Sequence, residues 1–143
     1  MIEGIIETQL KVIPSVDGNV LHGIRSTDKS FVGFEEAYFS FINQDHIKAW
    51  KCHKKMTLNL IVPVGKVKFV FIDNREEPSS FKKIQTFDLS QNPYTRLTVP
   101  PYIWFGFKGL ARQNLILNIT NVIHDQKEVL RKNLNEIDFD WGL

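Results

Sequence analysis

The sequence lacks the features that mark secreted and membrane-spanning chains. Cys52 is the single cysteine among 143 residues, so no disulfide can form within the chain, and this fits a reducing compartment. No apolar run approaches the roughly 20 residues that a membrane-spanning helix needs. Residues 1–7 carry acidic side chains where a signal peptide has a basic start followed by a long apolar run. We therefore expect a cytoplasmic protein.

An excess of charge of one sign is also missing. The formal net charge is +2, and no run of lysine and arginine is long enough to form a basic tail. Short basic pairs such as Lys82 and Lys83 are typical of a solvated face. We therefore expect neither a nucleic acid nor a membrane as partner.

Many short segments of alternating polarity are present instead. Hydrophobic residues make up 43% of the chain and include 11 phenylalanines, which favour strands. Turn residues separate the predicted strands, which include residues 10–13, 36–42, 58–64, 67–71, 81–87, 96–99, 103–107 and 115–120. Residues 58–64 are nearly all apolar, which predicts a strand buried on both faces. Only residues 126–135 have a helical pattern. We predict one all-β domain over residues 1–143, a jelly-roll barrel with a short C-terminal helical segment.

The densest polar cluster is residues 48–59, which combines lysines with one histidine. In an extended strand, residues two apart share a face. Trp50, Cys52 and Lys54 would then lie on one side, while Lys51, His53 and Lys55 lie on the other. A basic row with one imidazole suits a diphosphate or a carbonyl-bearing sugar. The alternative is an exposed edge strand that its lysines protect from aggregation.

Metal-ligand patterns are incomplete. Metal-binding cupins place two histidines and a carboxylate on such a segment, yet the histidine slot here is occupied by Lys51, Cys52 and His53. Residues 100–106 offer no ligand from the other half of a barrel. A lone histidine is a poor zinc or iron site, and no glycine-rich phosphate loop is present. We expect no metal and no cofactor, and a buried structural role for Cys52.

Two further groups of residues admit both a structural and a functional interpretation. Tyr102, Trp104, Phe105 and Phe107 could pack in the core or stack on a nucleobase or sugar. Polar residues near the last predicted strand could line a site or cap a turn; they are Asn118, Thr120, Asn121, His124 and Asp125. A histidine beside a carboxylate could also perform proton transfer.

The order of several short segments resembles the dTDP-4-dehydrorhamnose 3,5-epimerase family, nearest to its short members found among polysaccharide genes. The segments that carry the resemblance are residues 48–51, 53–57, 72–75, 99–101, 104–109, 121–128 and 137–141. Together they cover about residues 5–141. The resemblance implies a metal-free cupin jelly-roll that usually forms a dimer.

The resemblance also implies a reaction. Family members remove the acidic protons next to the C4 ketone of a nucleotide-linked 4-keto-6-deoxy sugar. A histidine acts as base, a carboxylate orients it, and a tyrosine returns a proton on the other face. Lysine and arginine side chains balance the charge of the enolate and the diphosphate.

The match of functional residues is partial. The base histidine of the family motif falls on Lys51, a second motif histidine falls on Phe105, and the catalytic tyrosine falls near Leu117, whereas Asp73 and Arg75 match. His53 should share the face of Lys51, so we predict these two as the catalytic residues. The predicted substrate-binding residues are Lys48, Lys54, Lys55, Asn59, Arg75, Trp104, Lys108, Asn118, Asn121 and His124.

Three hypotheses remain open at this stage. The chain could be a 3,5- or 3-epimerase or isomerase of a nucleotide sugar, most simply a dTDP sugar, acting as a homodimer in surface polysaccharide or lipopolysaccharide biosynthesis. It could bind a nucleotide sugar without turning it over, or be a cupin of unrelated chemistry. If Lys51 and His53 face the barrel interior opposite a tyrosine or carboxylate, the enzyme hypothesis is favoured.

Overall fold

A computed structural model describes residues 1–76 and 82–142, and their regular structure is almost entirely β. The strands in chain order are β1 (Ile6–Gln9), β2 (Val12–Ile13), β3 (Val20–Leu21), β4 (Glu36–Asn43), β5 (Ile47–His53), β6 (Leu58–Val64), β7 (Lys66–Asp73), β8 (Ile84–Ser90), β9 (Thr95–Val99), β10 (Ile103–Gly109), β11 (Gln113–Thr120) and β12 (Val129–Arg131). No helix in the described part of the chain is both long enough and apolar enough to cross a membrane.

Two antiparallel five-stranded sheets face each other. The first has the order β1-β9-β6-β11-β4 and the second has the order β12-β5-β10-β7-β8, while β2 and β3 form a separate hairpin. Apart from β7 and β8, neighbouring strands in each sheet are not consecutive in the chain, which is the non-local pairing of a jelly roll. The predicted all-β architecture is therefore confirmed.

The main core lies between the sheets and follows the alternation of each strand. Val67, Phe69 and Phe71 of β7 point inward and meet Leu58 and Leu60 of β6. The opposite face of β6 is covered too, because Ile61 packs in a cluster with Leu10, Tyr94 and Ile119. The prediction that this strand is buried on both faces is confirmed.

The C-terminal segment differs from the prediction. Residues 126–135 contain no single helix, because strand β12 separates two short 3-10 turns at Gln126–Glu128 and Leu134–Glu136. Strand β12 pairs with β5, with Val129 opposite His53 and Arg131 opposite Lys51. The backbone of β5 would otherwise form an open sheet edge, and this pairing satisfies it.

One other boundary also moves. The strand predicted over residues 81–87 begins at Ile84 and continues to Ser90, while Phe81 lies outside the described residues. Strand ends are set by pairing partners, here β7, rather than by composition.

A second apolar cluster covers the outer face of the second sheet. Trp50, Cys52, Val70, Trp104 and Trp141 form it. Lys108 fastens the C-terminal segment over this face, because its Nζ donates to the carbonyl oxygens of Trp141 and Gly142 at 3.1 Å each. The C-terminal residues therefore cover the outer face of the second sheet.

Candidate active site

A pocket opens between the two sheets, and both sheets contribute polar and apolar side chains to it. Its apolar lining is Leu60, Phe69, Phe105, Phe107, Ile116 and Val129, and its polar lining is Tyr38, Ser40, Lys51, His53, Asn118, His124 and Arg131. Strands β4 and β11 of the first sheet and β5 and β12 of the second contribute most of the polar side chains. A few convergent polar groups over an apolar floor are typical of a small-molecule site.

The central feature of the pocket is a buried histidine–carboxylate pair. The Nδ1 of His53 forms a short hydrogen bond with Oε1 of Glu128. The other oxygen of Glu128 accepts the backbone N–H groups of Lys54 and Lys55, at 3.0 Å each. The imidazole also stacks on Phe105, with 5.8 Å between ring centroids. Glu128 reaches this position because it immediately precedes β12, which pairs with β5.

Burial and hydrogen bonding set the charge states of this pair. Burial lowers the pKa of His53, and the hydrogen bond that it donates to Glu128 opposes that shift without cancelling it. Burial alone would raise the pKa of Glu128, but the hydrogen bonds from His53 and from the two backbone N–H groups outweigh it and lower that pKa. Near neutral pH, therefore, His53 is a neutral imidazole held by a carboxylate. Because Nδ1 carries the shared proton, Nε2 retains its lone pair.

Two unpaired cations lie at the same pocket. Lys51 and Arg131 are directly opposite each other on β5 and β12, and both line the pocket. Within residues 1–76 and 82–142 neither forms a salt bridge. Burial, together with the charges of Arg131 and Lys48, lowers the pKa of Lys51. Facing like charges without a counter-ion are unfavourable, so this corner favours an anionic ligand.

A tyrosine contributes to the pocket from the first sheet. Asn118 of β11 lies opposite Tyr38 of β4, and its Nδ2 donates to the Tyr38 hydroxyl oxygen at 2.8 Å. Burial is the main cause of a raised pKa at Tyr38, which the charges of Glu36 and Glu128 raise further while the Asn118 hydrogen bond opposes it. The phenol therefore keeps its proton near neutral pH and is available as a proton donor.

The structure brings four of the predicted site residues to this pocket: Lys51, His53, Asn118 and His124. The predicted division of the 48–59 cluster is also confirmed for the strand itself. Lys51 and His53 face the pocket, whereas Trp50 and Cys52 lie in the outer apolar cluster. Burial and the charge of Glu128 raise the pKa of the Cys52 thiol to about 11, in keeping with a structural role.

The other predicted substrate-binding residues lie outside the pocket lining. The lysine Nζ of Lys48 donates to the Phe41 carbonyl, and Lys54 and Lys55 use their backbone N–H groups to hold Glu128. Trp104 packs in the outer cluster and Lys108 binds the C-terminal carbonyls. These residues contribute to the architecture around the pocket.

Asn59, Arg75 and Asn121 also have partners within the protein. Asn59 is fully buried, donates to the Ile119 carbonyl and accepts from Thr98. Arg75 bonds both oxygens of Asp73 and the Glu3 carbonyl. Asn121 accepts the backbone N–H of Thr57 at 2.8 Å.

Among the polar residues of the pocket, sequence reasoning missed Tyr38, Ser40 and Arg131. It also missed Glu128, which bonds His53. Glu128 ends one of the segments that carry the family resemblance, yet 75 residues separate it from His53 along the chain. Tyr38 belongs to an alternating strand whose inward face was not assigned from the pattern. No local signal links any of these residues to His53, because strand pairing alone brings them together.

Known crystal structures share this fold closely. No profile of a known protein family matches the chain. The crystal structure of a dTDP sugar isomerase from Desulfovibrio desulfuricans G20 is 34% identical, covering 97% of this chain and 91% of that one with a TM-score of 0.93. The chain belongs to the family of this dTDP sugar isomerase. The predicted cupin-type jelly roll and the family resemblance are thus confirmed.

Two more distant matches are informative. The probable low-salt glycan biosynthesis epimerase Agl13 of Haloferax volcanii is 22% identical over 122 residues, which are 83% of this chain and 78% of Agl13. A Legionella pneumophila dTDP-6-deoxy-D-glucose-3,5-epimerase, solved with dTDP-4-keto-L-rhamnose, has a TM-score of 0.87 at 14% identity, over 99% of this chain and 80% of that one. The latter likeness is one of fold.

Proposed function

We propose that this isomerase-family protein rearranges a dTDP-linked 4-keto-6-deoxy sugar by removing a proton next to the ketone. The observation that carries the proposal is the buried His53–Glu128 pair at a pocket that also holds a protonated tyrosine. The substrate class follows from the relatives, since one of them was crystallised with dTDP-4-keto-L-rhamnose. An epimerase and an isomerase share this first step, so the proposal covers both outcomes.

In the proposed mechanism His53 is the base. Its Nε2 accepts the proton from the carbon next to the carbonyl, and the carbon–hydrogen electron pair moves to the carbonyl oxygen as an enolate. Glu128 stabilises the imidazolium that forms, as the carboxylate of a catalytic triad does. His53 is favoured over Lys51 as base because Glu128 accepts its Nδ1 proton, whereas Lys51 has no such acceptor among the described side chains.

Lys51 and Arg131 compensate negative charge in this proposal. The substrate brings a diphosphate and the reaction creates an enolate, and two unpaired cations at one corner of the pocket match both. Tyr38 returns a proton to the enolate, and the phenolate and imidazolium then exchange protons with solvent. The net reaction changes the position of a hydrogen or the configuration at a carbon, and it consumes no second reactant.

Location, pathway and assembly are further parts of the proposal. A role in surface polysaccharide or lipopolysaccharide synthesis agrees with the glycan biosynthesis epimerase among the relatives. A cytoplasmic location agrees with a single buried free thiol. A homodimer agrees with two exposed phenylalanines on the outer face of β4, where Phe39 and Phe41 are 63% and 71% exposed.

A second function has one observation in its favour. Lys51 occupies the position of the base histidine in the family motif, so the pocket could bind a nucleotide sugar without turnover. The two functions differ in one measurable property, namely whether the bound sugar exchanges carbon-bound protons with water.

Solvent deuterium exchange tests the proposal. The protein is incubated in D₂O with dTDP-4-keto-6-deoxyglucose and a panel of nucleotide 4-keto sugars, and NMR follows deuterium at C3 and C5. We expect exchange in the wild type and a loss of roughly 10²- to 10⁴-fold in His53→Asn. His46→Asn is the matched control, because the imidazole of His46 is exposed and, among the described residues, bonds only the Gln44 carbonyl. Binding without exchange across the panel would favour the second function.

A further inference from the structure

The hydrogen bond between Asn118 and Tyr38 has a direction that the surrounding strands impose. A phenol can donate one hydrogen bond and also accept, so its partner determines which role is left for a ligand. Here Asn118 Nδ2 lies 2.8 Å from the Tyr38 oxygen. If the amide were reversed, its oxygen would take the phenol proton instead.

The backbone of β6 prevents that reversal. Asn118 Oδ1 accepts the main-chain N–H of Asn59 at 3.2 Å, and a main-chain N–H can only donate. The Nδ2 group must therefore face Tyr38. Asn118 is 5% exposed, so water has little access to compensate a rotated amide.

Asn59 is held in turn by groups of defined polarity. Its Nδ2 donates to the Ile119 carbonyl at 3.1 Å, and its Oδ1 accepts from the Thr98 hydroxyl at 2.8 Å. Both contacts lie on the buried side of the first sheet, and Asn59 is 0% exposed. These contacts hold Asn59 in place, and with it the main-chain N–H that Asn118 accepts.

The Tyr38 proton is left without a protein acceptor. Asn118 is the one hydrogen-bond partner of the Tyr38 hydroxyl among the described residues, and this hydroxyl is at the pocket. We propose that Asn118 is a positioning residue that reserves the Tyr38 proton for the bound sugar. The inference rests on the proposed function. It adds a residue that controls the return of a proton from Tyr38 to the sugar, and not the removal of a proton by His53.

Replacing Asn118 with aspartate reverses one hydrogen bond at constant shape. One carboxylate oxygen can still accept the Asn59 N–H, but the other now accepts the Tyr38 proton. We expect Asn118→Asp to keep solvent deuterium exchange, which needs His53, within about threefold of wild type. Conversion to the rearranged sugar should fall at least about tenfold with little change in KM. Asn43→Asp, an equal charge change at an exposed position of the same strand as Tyr38, is the control.

A readout without substrate accompanies the kinetics. Tyrosine labelled with ¹³C at Cζ is titrated by NMR in wild type and in Asn118→Asp, with Tyr38→Phe used to assign the signal. In Asn118→Asp the Tyr38 phenolate no longer receives a hydrogen bond from the side-chain amide at position 118 and faces a carboxylate instead. The Tyr38 pKa should therefore rise by about one unit or more.

The outcomes separate the two proposals. No exchange by the wild type with any substrate contradicts the proposed function and leaves the titration to decide the inference. If Asn118→Asp converts substrate as fast as wild type and the Tyr38 pKa is unchanged, the positioning role is wrong. Equal loss of exchange and conversion in a folded variant also contradicts it, because Asn118 would then serve binding or structure.

Discussion

His53 gains its chemistry from a residue that is remote in sequence. Glu128 lies 75 positions further along the chain, yet it bonds the imidazole directly and is itself held by two backbone N–H groups. A carboxylate held in this way has a lowered pKa and stays charged. The pair can therefore accept a proton without exposing a charge to solvent.

Glu128→Gln tests that dependence. Glutamine keeps the shape and removes the charge that supports the imidazolium, so kcat/KM should fall at least about tenfold. In the proposed mechanism the reactive form of His53 is the neutral one. Activity in the wild type should thus decline as pH falls through a His53 pKa below 6.5. In Glu128→Gln this acid limb should move to still lower pH. A pH profile of kcat/KM provides the measurement, and an unmoved limb would contradict a direct role for Glu128.

Cys52 should be inert in the native protein. It is 0% exposed, and its thiol pKa is raised to about 11 by burial and the charge of Glu128. At pH 8 the thiolate fraction is then on the order of 10⁻³. We expect no labelling by iodoacetamide, measured by mass spectrometry, until the protein is unfolded in urea. Stoichiometric labelling of the folded protein would contradict the buried position of this thiol.

At the scale of elements, close contact between β10 and its neighbours leaves no room for a side chain at Gly106. A Cβ there would lie 2.6 Å from the Cβ of Ala49 on β5 and 3.2 Å from the Trp141 ring. Both strands and the C-terminal segment would have to shift. This contact holds the outer face of the sheet that carries His53 on its inner face.

Gly106→Ala should therefore lower the free energy of unfolding by about 1–3 kcal/mol. Gly23→Ala is the matched control, because its nearest neighbour would be Ile61 Cδ1 at an ordinary 3.7 Å, and we expect a change within about 0.5 kcal/mol. Urea unfolding followed by tryptophan fluorescence measures both variants. Equal stability of the two would mean that the strands adjust without cost.

At the scale of the whole molecule, the outer face of β4 is the feature that predicts assembly. This strand is at the edge of the first sheet and exposes Phe39 and Phe41 on one face. Burying an exposed phenylalanine stabilises an interface by about 1.5–3 kcal/mol. When two copies associate through this face, the burial of both phenylalanines from each copy would stabilise the dimer.

Phe39→Ser/Phe41→Ser tests that assembly. We expect sedimentation of the wild type as a dimer and of the double variant as a monomer at the same concentration. Ile84→Ser is the control, because Ile84 is 51% exposed on β8, at the edge of the other sheet. A monomeric wild type, or a dimer that survives the double substitution, would rule out this face as the interface.

The sequence by itself determined the β architecture, the family and the common face of Lys51 and His53. Period-two alternation and turn residues act locally, so strands such as Glu36–Asn43 and Leu58–Val64 could be predicted closely. The parity of one strand was enough to put Lys51 and His53 on a common face. The same parity argument could not say which face of β10 is inside, and so Trp104 was assigned to the site although Phe105 lines it.

The tertiary structure alone decided the composition of the pocket. Glu128 and Arg131 arrive there because β12 pairs with β5, and Tyr38 arrives because β4 pairs with β11. These pairings join residues far apart in the chain, and their stability comes from burying a shared core rather than from local propensity. Residues 126–135 illustrate this: their sequence pattern is helical, but three of them form β12 and pair with the edge of β5. His53 could be singled out from the sequence, but the carboxylate that bonds it and the phenol at the same pocket are brought there by the fold.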